Sequence, residues 1–139
     1  MSYSASVALQ GAIYQALRAN NALRDIVGDA IYDAMPVAAP AGTYVSLGPE
    51  DMREMGDASG AGSRHDLVIS VLSGSEDAIG FGLVKEAAAT ISDALDNARL
   101  GLSAGHLVGL WFQRARARRT ENGAGRRIDL TFRARIDLA

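Results

Sequence analysis

The clearest structural signal in the chain is the stretch RIDLTFRARIDL at residues 127–138, where apolar and polar side chains alternate without a break. The even positions are apolar and the odd positions are polar or charged. A strict period of two predicts a long strand with one buried and one solvated face. Residues 107–119 are its expected partner, since the Asn-Gly pair at 122–123 between them is a strong hairpin-turn signal.

The remaining elements are predicted outward from this hairpin. Helical spacing of apolar residues predicts a helix over residues 5–20 and a second one whose buried stripe includes Leu83 and Leu95. Short strands are predicted at residues 31–34 and 43–48, and a third alternates over residues 67–71. We therefore expect residues 1–139 to form a single α+β domain, with two helices on one face of a mostly antiparallel sheet of four to five strands, in the order αββ(long loop)βαββ.

The long loop in that order is residues 51–63, DMREMGDASGAGS. This stretch shows no periodicity and contains three glycines. It offers little apolar surface to offset the entropy of fixing its backbone, which costs about 1–2 kcal/mol per residue. The sequence therefore predicts a loop that is flexible in the free protein and ordered on assembly.

Composition excludes several classes of function. The chain has no cysteine, which excludes disulfides, thiol catalysis and cysteine-based metal sites. No apolar run approaches the roughly 18 residues of a membrane-spanning helix and the N-terminus lacks signal-peptide features, so no membrane partner is expected. His65 and His106 are both expected at exposed positions, far apart in sequence, which argues against a serine triad or a metal site. We expect no catalytic residue, no metal and no cofactor.

Charge is distributed unevenly along the chain, although the net charge is only −2. Residues 114–135 contain eight arginines and two acidic residues, a net +6, and the rest of the chain carries −8. The candidate site residues are six arginines on and near the hairpin turn and four acidic residues beside the predicted loop. They are Arg114, Arg116, Arg118, Arg119, Arg126, Arg127, Glu50, Asp51, Glu54 and Asp57.

Strand alternation places the guanidinium groups of Arg114, Arg116 and Arg118 about 7 Å apart on one face. Three interpretations are open. The arginines could hold carboxylates of the next copy at a subunit boundary, form a solvated face, or contact nucleic acid, whose phosphates have a comparable spacing. The interface is favoured, because an acidic segment and a basic hairpin in one sequence are complementary. Head-to-tail contacts of this kind close into rings.

Several stretches resemble the tail completion, or tail terminator, proteins of long-tailed phages and bacterial gene transfer agents. ALQGAIYQALRANNALRDIVGDAIYDAMP at 8–36 resembles the family's opening helix, turn and strand. TYVSLGPED at 43–51 resembles its next strand, with Thr43 in place of the usual proline, and RHDLVISVLSGS at 64–75 resembles the strand after it. The stretches at 94–119 and 126–136 resemble the family's final helix and hairpin. The resemblance covers about residues 5–137, and its motifs are structural, so they fix no site residue.

The resemblance implies a structural protein without enzymatic activity. Family members form a ring, typically of six copies, on the head-proximal end of the tail tube, where it stops tube growth and meets the head connector while DNA passes through its bore. The expected partners are other copies of the chain, the tail tube protein, the head–tail connector or stopper protein and the passing DNA. The expected location is the tail or neck of a virion or phage-like particle, assembled in the bacterial cytoplasm. The alternative function is a small nucleic-acid-binding domain that uses the arginine-rich hairpin.

Overall fold

The computed structural model describes residues 3–56, 60–75, 81–120 and 125–138. The elements in chain order are α1 (Ser4–Arg18), α2 (Asn21–Val27), β1 (Ile31–Tyr32), β2 (Tyr44–Glu54), β3 (Gly62–Leu72), α3 (Gly82–Leu95), β4 (His106–Arg119) and β5 (Arg126–Asp137). The strands form one sheet in the order β1-β2-β3-β5-β4. Neighbouring strands are antiparallel except the short β1, which is parallel to β2. The α+β class is confirmed, and the sheet is mixed.

The core lies between the helices and one face of the sheet. The apolar residues of β5 from Ile128 to Ile136 are buried at every even position, as the alternation predicted. Leu9, Ile13 and Leu17 of α1 join this core, together with the α3 stripe that ends at Leu95. Leu83 is an exception, since it is 47% exposed.

Within the described ranges the structure contains three helices where two were predicted. The Asn-Asn pair at 20–21 does follow α1, but Asn20 also caps α2, because its Oδ1 accepts a hydrogen bond from the Leu23 backbone N–H at 2.9 Å. An asparagine N-cap satisfies an N–H group left free at a helix start, and so favours a new helix directly after the old one. Gly28, with φ of 62°, ends α2. The strand predicted at residues 31–34 is shorter in the structure, where it spans Ile31–Tyr32.

The prediction of a flexible loop over residues 51–63 is wrong for much of that stretch. Residues 51–54 belong to β2 and pair with residues 63–66 of β3, so the two strands form a long hairpin. Residues 55–61 connect them, and 57–59 lie outside the described residues. Local periodicity could not reveal this order, because it comes from ladder hydrogen bonds to a partner strand. The observed element order is ααβββαββ.

The C-terminal hairpin is confirmed, and its predicted turn at 122–123 lies outside the described residues. Register irregularities between Leu107 and Gly109 and between Phe112 and Arg114 interrupt β4. An extra residue in one strand is left unpaired and locally disrupts the ladder. Val108 is the extra residue at the first irregularity and is 51% exposed, while Leu107 before it is buried. Beyond Phe112, β4 is exposed on both faces up to its end.

Candidate functional site: the open face of the sheet

The face of the sheet opposite the core carries no helix of the described chain, and we call it the open face. Strand alternation and the observed register decide which side chains belong to it. In the described strands β2 to β5 these include eight arginines and four aspartates, a net charge of +4 in a chain of net charge −2. They are Arg53, Arg64, Arg114, Arg116, Arg118, Arg127, Arg133, Arg135, Asp51, Asp66, Asp129 and Asp137.

Arg114, Arg116 and Arg118 share the open face, as the alternation predicted. Together with Arg127 and Asp129 they line a groove of about 340 Å³. Arg118 Nη2 lies 3.3 Å from Asp129 Oδ2, and Arg127 Nε lies 2.8 Å from Asp129 Oδ1. Arg114 and Arg116 are exposed and form no ion pair with any residue that the structure describes.

The Asp129 carboxylate is held in its charged form by its neighbours. Burial raises its pKa, but hydrogen bonds from Ser70 and Arg127 and the charges of Arg127 and Arg118 outweigh burial, so the pKa lies below its ordinary value. Ser70 Oγ donates to Oδ1 at 2.6 Å. Asp129 thus anchors two arginines within the subunit, whereas Arg114 and Arg116 have no such anchor among the described residues.

The structure separates two predicted site residues from this group. Arg119 and Arg126 form a cross-strand pair at the hairpin tip, and the register places both on the face that bears the helices. Arg126 Cζ lies 5.5 Å from the centroid of the Phe81 ring, next to the start of α3. The six predicted arginines are therefore divided between opposite faces of the hairpin.

A second row of arginines crosses the other end of the open face, and sequence reasoning missed it. Arg53 pairs with Arg64, which pairs with Arg135 on the next strand. Arg64 Nε lies 3.4 Å from Asp66 Oδ2 without forming a hydrogen bond, and Arg133 Nε lies 2.7 Å from Asp66 Oδ1. Within the described residues, the buried Nε groups of Arg64 and Arg135 have no hydrogen-bond partner. Such unpaired buried groups are rare in proteins.

Trp111 also lies on the open face, paired with Arg133 across the strands. Its indole covers Gly109, where an added Cβ would lie 2.0 Å from Trp111 Cζ2. Phe112 occupies the opposite face, with its ring centroid 5.7 Å from that of Phe132. Trp111 is 37% exposed. A partly exposed tryptophan beside arginines is typical of protein interfaces, and also of surfaces that stack on nucleic-acid bases.

The predicted acidic segment is divided as well. Asp51 is exposed on the open face and Glu54 is exposed on the helix-bearing face. Asp57 lies outside the described residues. Glu50 is bonded within the subunit, to His65 and to the start of α1. Among the described residues of this segment, Asp51 and Glu54 remain as acidic groups for a neighbouring molecule.

His65 is fully buried, so the expectation of an exposed histidine at a strand start is wrong. Its Nδ1 lies 2.8 Å from Glu50 Oε2, and its Nε2 lies 2.8 Å from Ser63 Oγ. A carboxylate only accepts, so Nδ1 donates to Glu50, while Nε2 shares a hydrogen bond with the Ser63 hydroxyl. Ser6 and Tyr3 donate to the other Glu50 oxygen. This network joins the N-terminus of α1 to the β2–β3 hairpin.

Ser63, His65 and Glu50 follow the hydrogen-bond order of a serine hydrolase triad, but the geometry does not support catalysis. Ser63 and His65 are both 0% exposed, so a substrate cannot reach the hydroxyl. Burial raises the pKa of Glu50, but hydrogen bonds from His65 and Ser6 and the charge of His65 outweigh burial. The pKa of Glu50 therefore lies below its ordinary value. The network is a structural tie between two elements.

The described residues offer little for other chemistry. They contain no group of three or more histidine or acidic side chains that could hold a metal ion. None of the helices in these ranges is both long and apolar enough to cross a bilayer. The open face, with its positive charge and exposed tryptophan, is therefore the candidate site, and its chemistry is that of a binding surface.

Comparison with known proteins identifies the family of the chain. The family model described as tail completion protein gp17 matches residues 11–137. The chain belongs to the tail completion protein gp17 family. A tail completion protein is a structural component of a phage-like tail, and this membership confirms the resemblance carried by the sequence motifs.

A solved structure similar to this tail completion protein comes from a gene transfer agent. The structure is described as the virion of a native gene transfer agent particle, and one of its chains is 57% identical with a TM-score of 0.89. The alignment covers 98% of this chain and 99% of that chain. No curated protein matches at a significant level.

Proposed function

We propose that this tail completion protein forms a ring, of six copies, that terminates the tail tube and joins it to the head connector, with DNA passing through the bore. Family membership over residues 11–137 supports the tail role. The observation that supports a ring is that Arg114 and Arg116 are exposed and form no ion pair among the described residues. They lie on a face that no described helix covers. Its partners are other copies, the tail tube protein and the head–tail connector.

The arginines act mainly at the boundary between copies. Arginine forks hold carboxylates in two parallel hydrogen bonds, which fixes orientation as well as attraction. With Glu50 bonded inside the subunit, the acceptors in the next copy are Asp51 and Glu54, both exposed.

Such a ring forms on the tube end and not in free solution. Exposed ion pairs contribute about 0–1 kcal/mol each, which is too little to hold six copies together alone. The tube end supplies the additional surface. Sedimentation of the isolated chain at micromolar concentration should therefore show monomers or weak association.

The experiment that tests the proposed function removes the protein from cells that produce the particles. Electron microscopy should show tubes of uncontrolled length and DNA-filled heads without tails, and a plasmid copy of the gene should restore both. Tubes of normal length that stay joined to heads in the absence of the protein would contradict the proposal.

Nucleic-acid binding is the second candidate, because Trp111 shares the open face with eight arginines. Direct phosphate binding by several arginines weakens steeply as salt rises. The test is titration of labelled DNA with the free protein at about 50 and 200 mM salt. If the protein is a nucleic-acid-binding domain, binding is tight and its affinity falls about tenfold or more between the two salt concentrations. We expect weak binding at both.

A further inference from the structure

Within the described ranges, part of the sheet edge is free on each side. β4 is the last strand on one side, and its residues 113–119 are exposed on both faces. On the other side, β1 pairs with β2 only at Val45 and Ser46 among the described residues. Residues 51–54 of β2 therefore have an unpaired outer edge, and Pro49 separates them from the covered part.

The two free edges carry opposite charge. Residues 113–119 contain four arginines and no acidic residue. In residues 51–54, Asp51 and Glu54 outnumber Arg53. Like charges placed directly opposite each other across two strands are destabilising, so the β4 edges of two copies repel each other. The charges thus disfavour pairing of like edges and favour a head-to-tail contact, the kind that closes into rings.

We propose that residues 113–119 of one copy pair as an antiparallel strand with residues 51–54 of the next copy, so that the sheet continues around the ring. This pairing rests on the ring of the proposed function and names its contact. The strand directions allow it without rotation of the sheet. β4 is antiparallel to β5, β5 to β3 and β3 to β2, so β4 and β2 run in opposite directions.

The two edges lie at different heights on the sheet, and a closed ring accommodates this offset. Arg116 is level with Asp129, Ser70 and Ser46, whereas the free segment of β2 is centred about five residues further along. That is an offset of about 17 Å along the strands over the four strands from β2 to β4, which are about 19 Å wide. The slope is about 41°, similar to the strand tilt of closed barrels, which is about 35–45°.

Backbone pairing supplies a fixed register between two copies, which exposed arginine side chains alone do not provide. Ladder hydrogen bonds fix the register of two strands, and side chains then meet in pairs on each face. Arg114, Arg116 and Arg118 lie on the open face, which is also the face of Asp51. Ala115 and Ala117 lie on the other face with Met52, so small side chains leave room beside the methionine.

Engineered disulfides test this pairing, because the natural chain has no cysteine. Ala115→Cys or Ala117→Cys is combined with Met52→Cys, since these side chains lie on one face and Cβ atoms of directly opposed residues are about 4.5–5.5 Å apart. Particles are purified and oxidised mildly, and their proteins are separated without reductant. We expect a ladder of covalent multimers up to the number of copies in the ring. The control pair, Met52→Cys with Ala89→Cys on the exposed side of α3, should give none.

Two outcomes would overturn the proposal. Dimers from Ala115→Cys alone would show that β4 pairs with itself, and monomers from both cysteine pairs in particles of normal tail length would show that the edges do not meet. The second outcome leaves the ring intact, so it is distinct from a failure of the proposed function.

Amide hydrogen exchange of the unaltered protein provides the answer if the variants do not enter particles. The outward amides of residues 113–119 and of residues 51–54 should exchange rapidly in the free chain. Both sets should be at least tenfold slower in particles. Unchanged exchange at either segment would contradict the pairing.

Discussion

His65 Nδ1 lies 2.8 Å from Glu50 Oε2, and this contact ties α1 to the β2–β3 hairpin through a carboxylate that had been expected to face another subunit. Glu50 also accepts hydrogen bonds from Ser6 and Tyr3 at the start of α1. The contact restricts the acidic partners of the arginines, among the described residues of this segment, to Asp51 and Glu54.

Replacing Glu50 with glutamine should lower the free energy of unfolding by about 1–3 kcal/mol at neutral pH, because the buried His65 ring loses a charged acceptor. The pKa of Glu50 is lowered from its ordinary value of 4.5, so its stabilisation is complete above that value and is lost as pH falls through the lower, folded-state pKa. Glu50→Gln should therefore reduce the loss of stability below about pH 4.5. Urea unfolding at pH 7 and pH 3.5 measures both effects. Glu86→Gln, on the exposed side of α3, is the control, and an equal effect there would contradict the role of Glu50.

Replacing Ser63 with alanine should leave particle production and DNA delivery unchanged. The lost hydrogen bond to His65 should lower the free energy of unfolding by about 1 kcal/mol. Particle yield and thermal unfolding are the measurements. A variant of near-normal stability that delivers no DNA would show that the hydroxyl has a chemical role after all.

Residues 51–54 should be protected from amide exchange in the free protein wherever their N–H groups face β3. Their ladder bonds to residues 63–66 are the reason. Val37, which is fully exposed in the connection between β1 and β2, should exchange quickly in the same sample. Equal rates at Val37 and throughout residues 51–54 would show that the hairpin is absent in solution.

Replacing Gly109 with alanine should displace the Trp111 indole from the open face, because the new Cβ would lie 2.0 Å from Cζ2. We expect a destabilisation of about 1–3 kcal/mol. The chain has a single tryptophan, so a shift of the fluorescence maximum reports this ring alone. Gly101→Ala is the matched control, since an added Cβ there has nothing within 4 Å. An unchanged spectrum of Gly109→Ala would contradict the stacked geometry.

The sequence predicted the elements whose order comes from their own periodicity. The alternation of β5 and the apolar stripe of α1 both correspond to buried faces. Features that depend on a partner strand were missed. Residues 51–54 have no pattern of their own and are ordered by β3, and the row formed by Arg53, Arg64 and Arg135 exists only through register.

The candidate site was predicted in part for the same reason. Alternation grouped Arg114, Arg116 and Arg118 correctly, because these residues follow the register irregularity and lie on one strand. It could not show that Asp129 anchors Arg118, since that aspartate lies on the neighbouring strand. The burial of His65 was missed, although it precedes Leu67 by two residues and so lies on the buried face of the predicted alternation.

Charge reversal distinguishes arginines at a subunit boundary from arginines that line the bore. Arg114→Glu with Arg116→Glu should abolish tailed, DNA-filled particles, and adding Asp51→Arg with Glu54→Arg should partly restore them. The control, Lys85→Glu with Arg99→Glu, makes the same charge change on exposed residues away from the open face and should assemble normally. We expect loss and partial restoration in counts of joined particles by electron microscopy. Particles that assemble and fill normally with Arg114→Glu and Arg116→Glu, yet fail to deliver DNA, would contradict this expectation and place these arginines in the bore.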